Sequence, residues 1–466
     1  MATIKKKALV IGAGTGGYPC AIRLGQLGVD AMLVEKDKPG GVCLNWGCIP
    51  TKALLRTAEV YRLMTHAGDY GLTAQNVGVD PAAIVDRSRK VATKLSQGVQ
   101  FLMKKNKIDV YMGEGHVEKD DELIRVTVAD EKGGESPLDA KHVILATGAR
   151  ARELPGLQAD GQRIWTYREA MTPPEWPQSL LIFGSGAIGV EFASFYSTLG
   201  VKVTLIELEN RILPVEDEDI SAMALRLFKR QQIEILTGAR ATELKASKAG
   251  VSAKVESNGR TDVLEASHAI LALGIVGNVE GFDGLGLEIE KTHIKIDPLG
   301  RTNVPGLYAI GDVAGPPWLA HKASHEGIIC VEAIAGRNVH PLNTKRVPGC
   351  TYSHPQIASV GLTEAAAKAA GRNIKVGKFP FSANGKAIAL GETDGFVKTV
   401  FDAHTGELLG AHMIGAEVTE LIQGYAVAMQ AEVTEHELME TVFPHPTLSE
   451  MMHEAVLDAY GRVLHI

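Results

Sequence analysis

The sequence predicts an α/β protein with two tandem Rossmann-like dinucleotide-binding domains, the second inserted in the first, and a C-terminal α+β domain. Three observations predict this fold: a glycine-rich strand–turn–helix pattern occurs twice, each copy closes on a similar apolar strand, and alternating apolar segments follow residue 346. A length of 466 residues accommodates several domains, and 50 glycines with 5% aromatic residues are typical of a turn-rich α/β protein. The predicted domains are residues 1–149, 150–275, 276–345 and 346–466.

The first copy is predicted as a buried strand, a helix and a second strand at Lys7–Gly12, about Thr15–Gly28 and Ala31–Glu35. Its turn carries Gly12, Gly14 and Gly17 in the G-x-G-x-x-G spacing, in which glycines permit a tight turn and close approach of the backbone to a pyrophosphate. Glu35 ends the second strand, where a carboxylate accepts hydrogen bonds from an adenosine ribose. Another tight turn, and an acid that merely ends a strand, are the alternatives.

The second copy is predicted at Leu180–Gly184, a helix to about Leu199, and Val201–Glu207. Its turn carries Gly184, Gly186 and Gly189, and the interval of 23 positions from Gly184 to Glu207 equals that from the first glycine to the acid of the first copy. A carboxylate at Glu207 disfavours a 2′-phosphate, which favours NAD over NADP, although the nearby Arg211 leaves NADP as an alternative. Two matched copies make a pair of dinucleotide sites the better interpretation.

Each copy closes on a similar strand, at Ala140–Gly148 and Ala266–Gly274, and a further strand, Gly306–Asp312, is interpreted as belonging with neither. This extra strand indicates that the second domain is inserted in the first. Asp312 would lie at the carboxyl end of its strand, where ligands of open α/β sheets bind, with a helix N-cap as the alternative role.

The remaining segments define connectors and the C-terminal domain. Asp217–Asp219 and Thr172–Pro177 are predicted as surface connectors. Antiparallel strands and helices are predicted at Gly395–Phe401, Leu408–Ile414, Val418–Ala431 and Thr447–Tyr460.

Two cysteines, Cys43 and Cys48, follow the first glycine turn closely, beside the expected dinucleotide. Five positions of regular helix span roughly 7.5 Å, beyond the Cα separation of about 7 Å that a disulfide permits. The pair therefore requires a loop or a distorted first turn, which Gly47 and Pro50 favour. Redox use is the preferred interpretation, because no further Cys or His nearby completes a zinc site; metal binding or plain burial are the alternatives.

The other cysteines are isolated and are predicted to be reduced core residues: Cys20, Cys330 and Cys350. They indicate a reducing, cytosol-like compartment. The first ten residues lack the apolar stretch of a signal peptide, and no apolar run has the 18 or so residues of a membrane helix. A net charge of −7 provides no basic face for nucleic acid or anionic lipid.

His445 lies between two prolines, which restrict the backbone and fix the direction of the ring. Thr447 or Ser449 is a candidate cap for a helix whose first turn holds Glu450, so this acid is placed to orient the imidazole. A structural histidine is the alternative.

Together these features resemble the pyridine nucleotide-disulfide oxidoreductases over essentially the whole chain. The motifs that carry the resemblance are Gly41-Val-Cys43-Leu-Asn-Trp-Gly-Cys48-Ile-Pro-Thr-Lys52, His445-Pro-Thr-Leu-Ser-Glu450, Gly184-Ser-Gly-Ala-Ile-Gly-Val-Glu191, Ala146-Thr-Gly148 and Ala309-Ile-Gly-Asp312. Ala187 stands where glutathione reductases carry a Tyr gate. The thiol pair that soluble transhydrogenases lack is complete, and the N-terminal module and C-terminal Cys pair of mercuric reductases are absent from this sequence.

The resemblance implies FAD in the first site and NAD in the second, and no metal. The FAD residues would be Gly12, Gly14, Gly17, Glu35, Lys52, Thr147, Gly148, Asp312, Ala320 and His321, with residues 276–345 completing this site. The NAD residues would be Gly184, Gly186, Ile188, Gly189, Glu207 and Gly274. Cys43 would be the interchange thiol and Cys48 the thiol facing the flavin, with Lys52 paired to Glu191 and with His445, oriented by Glu450, as the acid/base.

The resemblance also implies an activity and partners. The expected reaction is oxidation of protein-bound dihydrolipoyl groups, with electrons passing through the Cys43–Cys48 disulfide and FAD to NAD+. An obligatory homodimer is expected, because the His445–Glu450 dyad of this family reaches the thiols of the other subunit. The expected partner is the lipoylated acyltransferase of a 2-oxo acid dehydrogenase complex or the H-protein of glycine cleavage, in the cytoplasm or a compartment like the mitochondrial matrix.

Overall fold

A computed structural model describes residues 4–119, 123–130 and 132–466. The chain divides by its internal contacts into two units. The first unit comprises Met1–Ala53, Ala82–Arg152 and Gly274–Thr344, and the second comprises Leu54–Pro81, Glu153–Leu273 and Lys345–Ile466.

The strands alternate with helices in the two glycine-turn copies and follow one another without an intervening α-helix at residues 109–165 and 234–309. They are β1 (Ile4–Ile11), β2 (Ala31–Glu35), β3 (Asp109–Met112), β4 (Glu114–Lys119), β5 (Ile124–Ala129), β6 (Glu135–Leu145), β7 (Ala149–Ala151), β8 (Ile164–Trp165), β9 (Ser179–Phe183), β10 (Lys202–Ile206), β11 (Glu234–Leu236), β12 (Ala239–Ser247), β13 (Gly250–Ser257), β14 (Arg260–Ala266), β15 (His268–Leu271), β16 (Ile275–Gly277), β17 (Ile289–Glu290), β18 (His293–Ile294), β19 (Leu307–Ala309), β20 (Gly349–Thr351), β21 (Gln356–Gly361), β22 (Ile374–Pro380), β23 (Phe396–Asp402) and β24 (Leu408–Gly415).

The α-helices vary from one to seven turns. They are α1 (Gly17–Gln26), α2 (Gly41–Trp46), α3 (Cys48–Thr65), α4 (Pro81–Lys105), α5 (Tyr167–Met171), α6 (Ala187–Thr198), α7 (Glu218–Arg230), α8 (Ala320–Ile334), α9 (Glu364–Ala369), α10 (Gly385–Leu390), α11 (Val418–Gln430), α12 (Glu435–Glu440) and α13 (Glu450–Ala459).

The first unit is built on a sheet with the order β3-β2-β1-β6-β5-β4. Its β1, β2, β3 and β6 are parallel, and the apolar residues of β1 and β6 fill cores on both faces of the sheet. The extra strand predicted at Gly306–Asp312 forms β19, which pairs in parallel with β6. The interpretation that it belongs with neither closing strand was therefore wrong, because the chain returns after residue 274 to complete the first sheet.

The second unit contains a parallel sheet with the order β11-β10-β9-β15-β8, which is the predicted second copy. Strand β2 has the predicted bounds, and the helices of the two copies start at Gly17 and Ala187. The predicted α/β fold is confirmed.

The C-terminal part of the second unit is an antiparallel sheet with the order β20-β21-β24-β23-β22. Its predicted strands, β23 and β24, pair with each other, and every residue of both is buried. Helices α11 and α13 contribute apolar side chains, among them Tyr425 and Met451, to the core of this sheet. The helix α13 begins at Glu450, so packing of the sheet also fixes the position of this acid.

The prediction that Asp217–Asp219 is a surface connector was wrong. Asp217 is 1% exposed, caps α7 and pairs with Lys398 of β23, whose Nζ lies 2.8 Å from Oδ1 of Asp217, 2.9 Å from Asp219 and 2.7 Å from Glu364. Burial alone would raise the pKa of Asp217, but the hydrogen bonds from Lys398 and the Glu364 amide, together with the charge of Lys398, outweigh it and lower this pKa. Removing one partner from such a buried pair typically costs about 3–5 kcal/mol, so this cluster stabilises the unit only while it is complete.

The isolated cysteines differ in burial. Cys20 and Cys330 are fully buried, as predicted, whereas Cys350 on β20 is partly exposed. In the described ranges, no helix has the length and apolar character needed to cross a membrane.

Candidate active site

The first glycine turn connects β1 to α1 and leaves no room for side chains at two of its positions. A Cβ on Gly12, whose φ is +102°, would lie 2.3 Å from the carbonyl oxygen of Ala146, and a Cβ on Gly17 would lie 1.8 Å from the carbonyl oxygen of Gly12. A Cβ on Gly14 would meet only an ordinary contact, 3.9 Å from Cα of Gly41. The outer glycines are therefore required by close packing, and the middle one keeps the backbone accessible to a ligand.

Glu35 ties the end of β2 to this turn. One carboxylate oxygen accepts a hydrogen bond from the amide of Ala13 at 2.6 Å and the other accepts one from the amide of Asp37 at 2.8 Å. Glu35 is buried, and burial raises its pKa. The acid predicted to contact a ribose also orders the glycine turn itself.

The second glycine turn, between β9 and α6, has the same geometry. A Cβ on Gly184 (φ +98°) would lie 2.3 Å from the carbonyl oxygen of Ala272, and a Cβ on Gly189 would lie 1.9 Å from that of Gly184. At Gly186, an added Cβ would have no described atom within 4 Å. Ile188, in the first turn of α6, is 38% exposed. Open backbone at the start of a helix fits a dinucleotide pyrophosphate, which binds to amide groups there.

Glu207 repeats the arrangement of Glu35. Its Oε2 accepts hydrogen bonds from the amide and hydroxyl of Ser185 at 2.8 and 2.6 Å, and its Oε1 accepts one from the amide of Glu209 at 2.8 Å. The sequence analysis missed Ser185, although its place between two motif glycines was a signal. Gly274 has a φ of +92° and belongs to the first unit, not to the unit that holds the other predicted NAD residues.

The two cysteines of the candidate redox pair lie in two successive helices. Cys43 is in α2, Cys48 begins α3, and Gly47 interrupts the helical path between them with φ −149° and ψ −115°. A hydrogen bond joins the two cysteines, and this bond and burial raise the pKa of Cys43 far above its ordinary value, with Lys52 acting in the opposite direction. The predicted distortion at Gly47 is present, and it brings the sulfurs together.

The helix α2 is held against the first glycine turn. The amide of Gly40 donates to the carbonyl oxygen of Ala13 at 2.8 Å, and a Cβ on Gly41, whose φ is +57°, would lie 2.6 Å from Cα of Gly14. Within the first unit, the thiol pair is therefore placed beside the turn that fits a dinucleotide.

Side chains of α4 hold the backbone around the pair from another direction, and the sequence analysis did not identify them. Three successive residues donate to carbonyl oxygens: Arg87 to Ala53 at 2.7 Å, Ser88 to Pro50 at 3.0 Å and Arg89 to Asn45 at 2.7 Å. The Arg89 guanidinium also lies over the Trp46 ring, 4.7 Å from its centroid. These contacts attach the backbone on both sides of Cys48 to α4.

The predicted residues after β6, Thr147 and Gly148, lie in a turn that is held by hydrogen bonds to Asn278. The hydroxyl of Thr147 donates to the carbonyl oxygen of Asn278 at 2.9 Å, and the side-chain amide of Asn278 donates back to the carbonyl oxygen of Thr147 at 2.8 Å. Gly148 has a φ of +71° and accepts a hydrogen bond from the amide of Asn278. Asn278 is a second residue that the sequence analysis did not single out.

Asp312 lies in a short 3₁₀ helix, Gly311–Ala314, immediately after β19. Burial raises its pKa, and the nearby Lys322 opposes this effect. Lys322 of α8 is almost fully buried and donates to the carbonyl oxygens of Gly311 and Gly315 at 3.1 and 2.8 Å. The predicted residues Ala320 and His321 occupy the first turn of α8. The sequence analysis did not identify Lys322, whose hydrogen bonds hold the segment around Asp312.

Glu191 of α6 is 6% exposed, and its Oε1 accepts a hydrogen bond from the amide of Tyr352 at 2.9 Å. Lys52 and Glu191 belong to different units, so their pairing stays a prediction.

His445 and Glu450 form a close pair in the second unit. Nδ1 of His445 lies 2.9 Å from Oε1 of Glu450, and Oε2 of Glu450 accepts a hydrogen bond from the amide of Thr447 at 2.9 Å. Burial would raise the pKa of Glu450, but the bonds from Thr447 and His445 outweigh it and lower this pKa. An ionised Glu450 accepts the Nδ1 proton, which leaves Nε2 of His445 to accept or donate a proton. The His445 side chain is 78% exposed in the chain described here.

Among the residues that the structure describes, no group of three or more His, Cys, Asp or Glu side chains is arranged to hold a metal ion.

The sequence is similar to known proteins along almost its whole length. Residues 6–327 match the profile of the pyridine nucleotide-disulphide oxidoreductases, and residues 347–456 match the dimerisation domain of the same family, which supports a homodimer. A protein of Zymomonas mobilis named dihydrolipoyl dehydrogenase is 55% identical over 461 residues, with 98% of each chain covered. One of Rhizobium etli with the same name is 54% identical over 473 residues, again with 98% of each chain covered.

A solved structure gives the same result for the fold. The crystal structure of LpdA from Mycobacterium tuberculosis superposes with a TM-score of 0.90 at 28% identity, and the match covers 97% of this chain and 99% of that one. The two glycine turns, the thiol pair and these similarities lead to one conclusion: the chain belongs to the pyridine nucleotide-disulphide oxidoreductase family.

Proposed function

We propose that this chain is a dihydrolipoyl dehydrogenase, which oxidises protein-bound dihydrolipoyl groups to lipoyl disulfides and passes the electrons through the Cys43–Cys48 pair and FAD to NAD+. The observation that carries this proposal is the hydrogen-bonded thiol pair on helices held against the first glycine turn. The relatives of the same name, at 55% and 54% identity over the full chain, support the choice of substrate.

FAD is held by the first glycine turn and by residues of the same unit. Gly12, Gly14 and Gly17 provide the backbone for its pyrophosphate, and Glu35 is placed to accept from its ribose. We assign further contacts to Lys52 of α3, to Thr147 and Gly148 after β6, and to Asp312, Ala320 and His321. When bound, the flavin accepts two electrons from the thiol pair and delivers them as a hydride to NAD+.

Gly41→Ala is expected to loosen the binding of FAD, because a Cβ at this position would lie 2.6 Å from Cα of Gly14 and would push α2 away from the turn. We expect the purified variant to lose most of its flavin on dialysis, measured as the ratio of visible to ultraviolet absorbance.

Gly28→Ala is the matched control for that change. Gly28 also has a positive φ, +72°, but an added Cβ would have no described atom within 4 Å. Both variants place an alanine at a positive φ, which costs about 1–2 kcal/mol. Equal retention of flavin in the two variants would show that the contact between Gly41 and Gly14 is unimportant.

The thiol pair carries out disulfide exchange with the substrate. A substrate thiolate attacks the sulfur of Cys43 in the Cys43–Cys48 disulfide, and Cys48 leaves as a thiolate. The second substrate thiol then attacks the substrate sulfur of the mixed disulfide, which closes the lipoyl ring and releases Cys43. Two electrons enter the pair, and of the two substrate protons one passes to His445 and the other protonates the released Cys43.

The two thiols have different roles in this proposal, as the family resemblance implies: Cys43 is the interchange thiol and Cys48 is the thiol that faces the flavin. The hydrogen bond with Cys48 and burial raise the pKa of Cys43, and Lys52 acts in the opposite direction.

His445 is the base that takes the substrate proton. Because Glu450 holds Nδ1, Nε2 is the atom that exchanges protons, and the carboxylate stabilises the imidazolium that forms. We propose that the dyad acts on the thiol pair of the partner subunit, as the family resemblance implies. The exposure of His445 in a single chain is in line with this role.

NAD is held by the second glycine turn, through Gly184, Gly186, Gly189 and the adjacent Ile188 and Gly274. Glu207 already accepts from Ser185 and Glu209, and its remaining lone pairs are available to a ribose. A negative charge fixed at this position repels a 2′-phosphate, which favours NAD over NADP.

The domain division predicted from the sequence remains part of this proposal: FAD-binding, NAD-binding, central and interface domains at 1–149, 150–275, 276–345 and 346–466. The proposed substrate is the lipoyl group of an acyltransferase or an H-protein. Buried reduced thiols at Cys20 and Cys330 support a reducing compartment such as the cytoplasm.

A substrate panel and a spectrum test the proposal together. We expect the purified holoenzyme to oxidise dihydrolipoamide with NAD+ at least a hundredfold faster than it reduces glutathione disulfide or coenzyme A disulfide. Anaerobic NADH is expected to add a long-wavelength absorbance band from a thiolate beside the flavin. Faster turnover of another disulfide would assign a different substrate, and colourless protein that FAD does not reconstitute would contradict the proposal as a whole.

A further inference from the structure

The loop of residues 208–217 connects the second glycine turn to the C-terminal sheet. It begins after Glu207, at the end of β10, and ends at Asp217, the N-cap of α7. Leu208 and Val215 of this loop are 61% and 82% exposed, whereas Ile212 and Leu213 are buried. At the surface, Arg211 pairs with Glu218 and donates to the carbonyl oxygen of Pro214. Two buried attachments connect the loop to the glycine turn and to the C-terminal sheet.

The middle of the loop is attached to the glycine turn through Leu213. The amide of Leu213 lies 3.2 Å from both the hydroxyl and the carbonyl oxygen of Ser185, the residue between Gly184 and Gly186. Leu213 is buried and has a φ of +49°, which is unfavourable for a bulky side chain and persists only where surroundings impose it. The hydroxyl of Ser221 donates to the carbonyl oxygen of Leu213 at 3.1 Å from the opposite side.

The end of the loop is attached to the C-terminal sheet through Lys398. Both carboxylate oxygens of Asp217 are occupied, Oδ1 by Nζ of Lys398 at 2.8 Å and by the amide of Asp219 at 3.1 Å, and Oδ2 by the amide of Glu364 at 3.1 Å. Lys398 is 2% exposed and lies in the fully buried strand β23. A charged group placed at this depth fixes the position of the carboxylate that it binds.

We propose that Lys398 is a positioning residue for NAD: through Asp217 it fixes the loop 208–217, and through Leu213 and Ser185 this loop fixes the second glycine turn and Glu207. The inference rests on the proposed function of that turn as the NAD site. It predicts that disturbing the ion pair weakens binding of NAD and leaves the reaction of the thiol pair with its substrate unchanged.

Asp217→Asn and Glu364→Gln form the matched test. Both substitutions remove one negative charge next to Lys398, but only Asp217 is in the loop. The side chain of an asparagine has one accepting oxygen, so it cannot replace both carboxylate oxygens of Asp217. NAD+ is titrated into the oxidised holoenzyme in a calorimeter, and reduction by dihydrolipoamide is followed anaerobically by stopped flow. We expect the Kd for NAD+ to rise about tenfold in Asp217→Asn and less than twofold in Glu364→Gln, with an unchanged rate of reduction by dihydrolipoamide in both.

Ser221→Ala is a milder second variant that releases only the carbonyl of Leu213, and we expect it to raise the Kd about threefold. It provides the test if Asp217→Asn does not yield folded protein. Equal Kd values for the loop variants and Glu364→Gln would overturn the inference, as would a parallel loss in the dihydrolipoamide reaction. If the unaltered protein binds no NAD+, the proposed function fails instead, and the inference fails with it.

Discussion

Cys43→Ser and Cys48→Ser are each expected to abolish lipoamide turnover while FAD remains bound. A hydroxyl is not a nucleophile toward disulfides and does not form one, so neither variant can store the two electrons of the substrate. The contacts that hold the glycine turn, from Glu35 and Gly40, do not involve either sulfur. We therefore expect normal flavin absorbance with no steady-state activity, measured as NADH formation from dihydrolipoamide.

Cys350→Ser is the matched control for these variants. Cys350 is also partly exposed, but it lies on β20 in the other unit. We expect it to retain turnover within about twofold. The two redox variants should also differ from each other in the reduced state, since Cys43→Ser keeps the proposed thiolate at Cys48 and its long-wavelength absorbance band. Near-normal turnover in either redox variant would remove the disulfide from the mechanism.

The parts of the fold that the sequence predicts well are those set by neighbouring residues. In each of the two copies, the first glycine, the helix and the acid all lie within 24 residues of one another. The glycine spacing, the helix and the acid can therefore each be recognised in the local sequence. Strand β2 consequently has its predicted bounds, and Glu35 reaches the turn as expected. The break at Gly47 was predictable for the same reason, because two cysteines five positions apart cannot meet in a regular helix.

The parts that the sequence analysis missed depend on partners that are far apart in the chain. Asp217 has the composition of an exposed connector, and its partner Lys398 lies 181 positions later in a strand that is otherwise apolar. The pairing of β19 with β6 joins segments on either side of the inserted domain. The hydrogen bonds from α4 to the segment around the cysteines leave no local pattern either, because any helix surface carries arginine and serine.

His445→Gln is expected to lower turnover by two to four orders of magnitude, about the contribution of general acid–base catalysis. Glutamine can occupy a similar volume and donate to Glu450, but it cannot take up a proton near neutral pH. In the proposed mechanism Glu450 orients the imidazole. Oε1 of Glu450 lies 2.9 Å from Nδ1 of His445, and hydrogen bonds from Thr447 and His445 lower the pKa of Glu450 in spite of its partial burial. The measurement is the anaerobic rate of thiol-pair reduction by dihydrolipoamide, compared with the rate of reduction by NADH.

The chain provides a matched control in a second His–Glu pair. Nε2 of His436 lies 3.4 Å from Oε1 of Glu440 on α12. The His436 side chain is 70% exposed, which is close to the exposed fraction of the His445 side chain, 78%. His436→Gln should therefore leave both rates unchanged. Because His445 acts on protons of the dithiol substrate, its loss should slow reduction by dihydrolipoamide far more than reduction by NADH, which delivers a hydride. A loss of less than threefold with dihydrolipoamide, or an equal loss with both reductants, would show that His445 positions the subunits and does not transfer the proton.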